Sequence, residues 1–340
     1  MVWRDLRHEG ESVRRREFIA GVGAAATWPL TARAQQSDKM RLIGVLLGAV
    51  ERDTAGQARL AAFRSALGKL GWTEGSNLRI EVRWSADPEV AARHAADLVV
   101  LGAEVLVGEN SASLDALRRQ THTIPIVFVG VTDPIGQGLV ASLSHPGGDI
   151  TGFSIFDAPM AGKWLGMLTQ ITPPVARVAV LFDPATTLYA DLMLRSCEEA
   201  ARSLALAVRA ERVNNDSEIE TAMAGVAREE RGGVLVLPSA FTLAHRDAIV
   251  GIAAQHRVPA VYGISLFATS GGLMAYSTDI TDLLLRAADY VDRILKGAKP
   301  GDLPIQQPTK FDLVINLKAA KALGVTISPT LLSTADEVIE

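Results

Sequence analysis

Hydrophobic and polar positions follow two alternating patterns between residue 42 and about residue 262. Short apolar runs rich in branched residues, such as residues 42–47 and Arg177–Phe182, are typical of buried β-strands. The segments between such runs repeat apolar side chains at helical spacing, as Leu60, Phe63 and Leu67 do. This repeated strand–helix–strand order predicts an α/β fold with parallel sheets flanked by helices on both faces.

A turn-forming stretch, Ser-His-Pro-Gly-Gly-Asp at residues 144–149, separates two such series. We therefore predict two α/β lobes. Residues 40–149 with about 276–306 form the N-terminal lobe, and residues 150–275 with about 307–340 form the C-terminal lobe. The last segments are too short for a third domain, so they must pack onto these lobes. The chain would then pass from one lobe to the other near residues 149, 276 and 308, and three such connections predict a three-strand hinge.

The first 34 residues have the pattern of a secretory signal peptide. Arg14, Arg15 and Arg16 precede an apolar run over residues 18–30, and Ala-Arg-Ala at 32–34 provides a cleavage site near Ala34. The Arg-Arg-x-Phe-Ile core also resembles a twin-arginine signal. The apolar run is too short to cross a hydrocarbon core about 30 Å thick, which disfavours a retained membrane anchor. We expect a periplasmic protein.

Composition narrows the classes of partner. The formal net charge is −4 although the segment 1–34 is basic, so the exported chain is more acidic still. That balance argues against nucleic acid or anionic lipid as a partner. The single cysteine, Cys197, excludes an intramolecular disulfide, and its helical context predicts a buried, inert thiol rather than a nucleophile.

Common catalytic motifs are missing from the exported part of the sequence. It contains no Gly-x-x-x-x-Gly-Lys phosphate loop, no Gly-x-Ser-x-Gly nucleophile turn and no His-Glu-x-x-His zinc spacing. We therefore predict a protein that is not an enzyme and that needs no cofactor and no metal.

The candidate ligand contacts are the polar residues that follow the strands, because ligands bind at the carboxyl ends of parallel strands. A helix start at Asn110 and Ser111 can offer N–H groups to a carboxylate. Asp133, Asp157 or Asp183 can receive an ammonium group. Phe156, Phe241 and Tyr276 can cover an apolar moiety. The predicted ligand-binding set is Asn110, Ser111, Asp133, Asp183, Ser239 and Tyr276. Each of these residue types also caps turns and helices, so a purely structural role stays open.

Several stretches carry a resemblance to a known family. They include Asp-Pro-Ile-Gly-Gln-Gly-Leu-Val-Ala-Ser-Leu at residues 133–143 and Gln-Pro-Thr-Lys-Phe-Asp-Leu-Val-Ile-Asn at residues 307–316. From about residue 41 onward, the chain resembles substrate-binding proteins of ABC importers with the type I periplasmic-binding fold, in a subfamily related to tryptophan and tyrosine binders. The resemblance implies two Rossmann-like lobes, a hinge and a ligand in the cleft. It also implies a permease and an ATPase as separate chains.

One loop departs from the family pattern. Members commonly carry a small Gly/Thr-Pro loop after the third strand, whereas this chain has Gly-Glu-Asn-Ser at residues 108–111. A carboxylate at this place can change the charge preference for the ligand, so an aromatic amino acid is not carried over as the expected ligand.

The expected function is that of a periplasmic solute-binding component of an ABC importer. Its two lobes would close on a small polar metabolite, such as an amino acid or a related compound, and membrane contact would be peripheral, through the permease. One alternative is a ligand-sensing periplasmic module for a membrane receptor. Another is a secreted hydrolase on the same fold, which would require His245 or His256 to face the cleft beside Ser239.

Overall fold

The computed structural model describes residues 40–340. The predicted signal peptide, residues 1–34, lies outside the described residues.

The first sheet is parallel and has five strands in the order β2-β1-β3-β4-β5 within residues 40–340. Its strands are β1 (Arg41–Leu47), β2 (Leu78–Trp84), β3 (Val105–Glu109), β4 (Ile126–Val131) and β5 (Ile150–Ser154). The helices that cover it are α1 (Thr54–Lys69), α2 (Pro88–Val100), α3 (Asn110–Arg118) and, from far along the chain, α10 (Ile280–Leu295). This sheet and these helices are called the first lobe.

The second sheet has seven strands in the order β14-β12-β11-β10-β9-β7-β8 in the same range. All its neighbouring pairs are parallel except β11 with β12. The strands are β7 (Arg177–Phe182), β8 (Ala207–Arg212), β9 (Gly232–Val236), β10 (Ala260–Tyr262), β11 (Met274–Ser277), β12 (Asp312–Asn316) and β14 (Glu337–Ile339), and a separate small pair is formed by β6 (Ile171–Thr172) and β13 (Thr326–Ile327).

The remaining helices belong to this second lobe. They are α4 (Met160–Thr169), α5 (Ala190–Leu204), α6 (Asp216–Ala227), α7 (Ala240–Ala244), α8 (Arg246–Gln255), α9 (Ser265–Thr269), α11 (Leu317–Leu323) and α12 (Pro329–Leu332). A short 3₁₀ turn, Pro300–Asp302, follows α10. None of the helices in the described range has both the length and the apolar character needed to cross a bilayer.

Each sheet buries apolar side chains on both faces. Along β3, Val105 and Val107 join the core under α1 and α10, and Leu106 joins the core under α2 and α3. This alternation follows from the period of two in a strand. Burial of one large side chain such as Phe63, which is 0% exposed, contributes about 1.5–3 kcal/mol.

The single cysteine lies in the core of the second lobe. Cys197 is 0% exposed on α5, and burial raises the pKa of its thiol to about 12. The prediction of a buried thiol is confirmed, and a thiol in this environment is protonated at neutral pH.

The first crossing between the lobes comes later than the sequence suggested. Strand β5 (Ile150–Ser154) pairs with β4 and belongs to the first sheet, so the predicted boundary at residues 149/150 is wrong by one strand. The turn at 144–149 connects two strands of one sheet. Turn residues mark a change of chain direction, and they do not specify which sheet the next strand joins. The close approach of β5 to β4 requires Gly152, where a Cβ atom would lie 2.1 Å from the Phe128 carbonyl oxygen.

Three segments connect the lobes in the described structure. The chain leaves the first sheet after Ser154, returns between β11 and α10, and leaves again after Gln306. Gln306 is hydrogen-bonded to β5 through two backbone bonds, from its N–H to the Gly152 oxygen (3.0 Å) and from the Ser154 N–H to its own oxygen (2.9 Å).

Candidate functional site

A cavity of about 50 Å³ lies where the carboxyl ends of the two sheets face each other. We call it the inner cavity. Both lobes contribute residues to its wall, most of them directly after a strand or at the start of a helix. The lining residues are Gly48, Glu109, Asn110, Ser111, Gly130, Thr132, Ile155, Thr186, Tyr189, Pro238, Ser239, Leu243, Ile264 and Ile280.

The first-lobe wall is formed by the junction of β3 and α3. Asn110 has a left-handed backbone (φ 75°), a conformation that asparagine tolerates better than most residues. Its Oδ1 accepts a hydrogen bond from the Ser113 N–H (3.0 Å). The Asn110 amide packs against Gly48, where an added Cβ would lie 1.7 Å from Nδ2. Ser111 Oγ accepts a hydrogen bond from Gln137 Nε2 (3.3 Å).

The second-lobe wall is formed by the starts of α5 and α7. Ser239 caps α7, and its Oγ accepts a hydrogen bond from the Thr242 N–H (3.1 Å). The Tyr189 hydroxyl donates to the Pro238 carbonyl oxygen and lies beside Thr132 of the first lobe. Burial raises the pKa of Tyr189 above its usual value, so its hydroxyl is protonated at neutral pH.

A buried ion pair stands at the first-lobe side of the inner cavity. Glu109 Oε1 lies 2.9 Å from Arg59 Nε, and the two side chains are 7% and 8% exposed. Within residues 40–340, the other carboxylate oxygen, Oε2, has no hydrogen-bond partner, and neither does Arg59 Nη2. The pair is therefore incompletely satisfied, which is costly for buried charges.

A wider opening, about 820 Å³, adjoins the inner cavity at Thr186, which lines both. We call it the outer cleft. Aromatic side chains line it, including Trp84 and Phe241, and the Phe241 ring stacks on His245 with centroids 4.2 Å apart. Asp183 also lines it, and its Oδ2 accepts hydrogen bonds from Thr186 N–H (2.8 Å) and Oγ1 (2.7 Å).

An ion pair links the two lobes directly. Arg246 at the start of α8 places Nη1 3.8 Å from Oδ1 of Asp53, the residue that caps α1. Both side chains are less than one fifth exposed. We call this contact the rim ion pair.

The structure brings together part of the predicted site. Asn110, Ser111 and Ser239 line the inner cavity, and Asp183 lines the outer cleft. Asp133 and Tyr276 line neither.

The side chains of Asp133 and Tyr276 bond to or pack against neighbouring residues outside the two spaces. Asp133 (φ 37°) caps a turn, with Oδ1 accepting from the Gly136 N–H (2.8 Å). The Tyr276 ring stacks on Phe311 at 5.5 Å, and its hydroxyl accepts a hydrogen bond from Lys163 Nζ (3.3 Å). Side chains on a strand alternate between faces, so a position near a strand end does not fix which way the side chain turns.

Eleven of the fourteen residues that line the inner cavity were not in the predicted set, and Glu109 and Tyr189 are two of them. Glu109 stands in the loop that departs from the family pattern, directly before Asn110. Tyr189 carried no such signal, because an apolar ring at a helix start is typical of core packing.

Neither histidine named for the hydrolase alternative is bonded to Ser239. His245 Nδ1 lies 2.6 Å from Asp216 Oδ1, and His256 Nε2 pairs with Glu220. The Ser239 hydroxyl bonds within its own helix cap. In the described part of the chain, no group of three or more His, Cys, Asp or Glu side chains is arranged to hold a metal ion.

The fold is that of the type I periplasmic binding proteins: two α/β lobes of mainly parallel strands, with three connections and a cleft between the strand ends. Solved structures support this class. A conserved domain protein from Vibrio cholerae aligns with a TM-score of 0.79 and 28% identity, covering 88% of this chain and all of the other. A domain from Streptococcus pneumonia in complex with L-Trp aligns with a TM-score of 0.80, 24% identity and the same coverage, which shows the fold.

The chain belongs to the ABC transporter substrate binding protein family, whose model matches residues 45–339. It is also 25% identical over 291 residues to the tyrosine-binding protein of Clostridioides difficile, which covers 85% of this chain and 82% of the relative. These comparisons confirm the resemblance stated from the sequence and the predicted fold class.

Proposed function

We propose that this protein is the periplasmic solute-binding component of an ABC importer, which closes on a small polar metabolite and delivers it to a permease driven by a separate ATPase. One observation carries the proposal: polar side chains from both lobes, Asn110 and Ser111 on one side and Thr186 and Ser239 on the other, surround a single cavity. A ligand held there bonds to both lobes only when they are together.

Ligand binding would shift the protein towards its closed form. Direct contacts between the lobes include the rim ion pair and the Tyr189 hydroxyl beside Thr132. A solute that bonds to both walls adds free energy to the closed state alone, so it changes the balance between open and closed forms. The permease can then distinguish loaded protein from empty protein by shape.

An amino acid or a related compound fits the two spaces. The inner cavity, about 50 Å³, accommodates only the polar end of such a molecule, whereas the outer cleft, about 820 Å³, falls within the range of small-molecule sites. A carboxylate can accept bonds from the N–H groups at the start of α3, since the first N–H groups of a helix lack partners within it. Trp84 and Phe241 can cover an apolar side chain in the outer cleft.

Periplasmic location rests on the sequence of the first 34 residues and on the family. The basic segment, the apolar run and Ala-Arg-Ala at 32–34 have the pattern of a cleaved export signal.

Calorimetry with a panel of amino acids and other small metabolites, paired with small-angle scattering, tests the proposal. We expect at least one compound to bind and to make the protein more compact. Ser111→Ala and Ser239→Ala, from opposite lobes, should each lower affinity about five- to tenfold, because each removes a hydrogen bond worth about 1 kcal/mol.

Tyr276→Phe provides the matched control, because it removes one hydroxyl outside both spaces and keeps the stacked ring. Its affinity should be unchanged. Loss of binding in Tyr276→Phe together with normal binding in Ser111→Ala would place the site elsewhere, and a scattering curve unchanged by every bound compound would refute closure.

A further inference from the structure

We propose that Glu109 selects the charge of the ligand: the solute carries a cationic nitrogen group, an ammonium or a guanidinium, that docks on Glu109 Oε2. The inference rests on the proposed function and specifies the chemical class of the solute for the same site. Three observations support it, namely the position of Glu109, its unsatisfied oxygen and the balance of charge around the ligand space.

Across the residues that the structure describes, one carboxylate oxygen of Glu109, Oε2, makes no hydrogen bond that the fold requires. It is the last residue of β3, it lines the inner cavity, and its side chain does not cap α3. Asn110 bonds to the Ser113 N–H in its place. The fold therefore has no need of a carboxylate at this position to begin the helix.

The free oxygen of Glu109 requires a donor. Oε1 is held by Arg59, whereas Oε2 has no partner among residues 40–340 and is shielded from solvent. A buried carboxylate oxygen without a hydrogen bond is destabilising, and an N–H group of a ligand removes that deficit. A cationic nitrogen does so with a charge-assisted bond, which is stronger than a neutral one.

The surrounding charge favours a cation. Among the described residues lining the inner cavity and the outer cleft, four carboxylates (Glu51, Asp87, Glu109, Asp183) face one guanidinium, that of Arg83. Arg83 is itself 3.3 Å from Glu81 and does not offset the lining carboxylates alone. Even with Arg59 behind Glu109, the ligand space has an excess of negative charge, so it favours a ligand that carries a cationic group.

Arg59 acts as the positioning residue in this arrangement. It fixes Glu109 Oε1 from α1 and leaves Oε2 for the solute. An ion pair that served stability alone would leave ligand preference unchanged when it was replaced, and this difference separates the two roles.

Matched probes that differ in one cationic group test the proposal. L-arginine is compared with L-citrulline, which replaces the guanidinium by a neutral urea, and L-tryptophan with indole-3-propionate, which lacks the ammonium. The same calorimetry includes a wider metabolite panel of cations, zwitterions and anions. In at least one pair, we expect the wild-type protein to bind the member with the additional cationic group tenfold or more tightly than its counterpart.

Glu109→Gln keeps the shape of the side chain and removes its charge, and it should reduce that preference to twofold or less. Arg59→Met combined with Glu109→Gln removes both charges, so it guards against loss of binding through an unpaired Arg59. Melting temperatures without ligand verify that both variants fold.

The outcomes separate this proposal from the proposed function. Binding of anionic or neutral compounds with no preference for a cationic group, or a preference that survives Glu109→Gln, overturns the role of Glu109 and leaves solute binding intact. No binding by any compound in the panel overturns both.

Discussion

Gly48 and Asn110 form the tightest contact in the wall of the inner cavity, and a single methyl group tests it. In Gly48→Ala the new Cβ would lie 1.7 Å from Asn110 Nδ2 and 2.8 Å from its Cγ, whereas the nearest backbone atom, the Glu109 oxygen, is 3.2 Å away. Gly48 does not have a positive φ, so the backbone accepts alanine and the effect is steric. The Asn110 side chain must therefore leave its place.

Two effects determine how much stability Gly48→Ala loses. Forcing a methyl group into a packed wall costs about 1–3 kcal/mol, and the bond from Asn110 to the Ser113 N–H contributes about 1 kcal/mol as a helix cap. We expect the free energy of unfolding of Gly48→Ala to fall by about 2–4 kcal/mol in urea titrations. Ligand affinity should fall about tenfold, because Asn110 no longer lines the cavity.

Gly68→Ala in α1 is the matched control, since nothing lies within 4 Å of its added Cβ. It should be neutral or stabilise by up to about 1 kcal/mol, and it should leave binding unchanged. Asn110→Gly in the Gly48→Ala background should recover part of the lost stability, because glycine accepts the left-handed backbone at 110 and removes the clash. A Gly48→Ala protein as stable as wild type, with equal affinity, would refute this reasoning.

Two further predictions concern charged groups. Arg246→Gln removes the rim ion pair, so ligand affinity should fall by at most about fivefold, or 1 kcal/mol, and by less at high salt. Calorimetry at two ionic strengths measures this loss of affinity. A larger loss at high salt would contradict the prediction. Burial and the neighbouring Asp133 raise the pKa of Asp157, so the folded state binds a proton at this carboxyl more tightly than the unfolded state does. The stability that the protonated Asp157 contributes is therefore lost as pH rises through the raised pKa. Asp157→Asn retains an acceptor for Gln307 without a charge and should melt higher than wild type at pH 7, with the difference vanishing below about pH 3.8; equal melting at all pH values would exclude the effect.

Local pattern was sufficient for most of the secondary structure. Strand β7 has the bounds that its apolar run predicts, and β1 begins one residue before the run at residues 42–47. Each is bordered by glycine, proline or a capping residue, and such signals act over a few residues. The helices α7 and α9 have only five residues each, so they are too short to display a full apolar period in the sequence.

The sheet membership of β5 and the layout of the site required information from distant residues. Whether β5 pairs with β4 or begins another sheet depends on side chains far along the chain, including α10. The sequence rule that places ligands at strand ends selected Asn110, Ser111 and Ser239, which line one cavity, but it could not show that Tyr276 turns towards Phe311. Nor could it show that Glu109 pairs with Arg59, fifty residues earlier.

The two backbone bonds that join Gln306 to β5 have a mechanical consequence. They tie the first and third connections into a short two-stranded ribbon just before both leave the first lobe. Such a ribbon flexes readily across its thin direction but resists in-plane shear, since sliding one strand past the other would break both bonds. In the proposed closure, the lobes would therefore swing about one axis, and the two walls of the ligand space would meet in the same register each time.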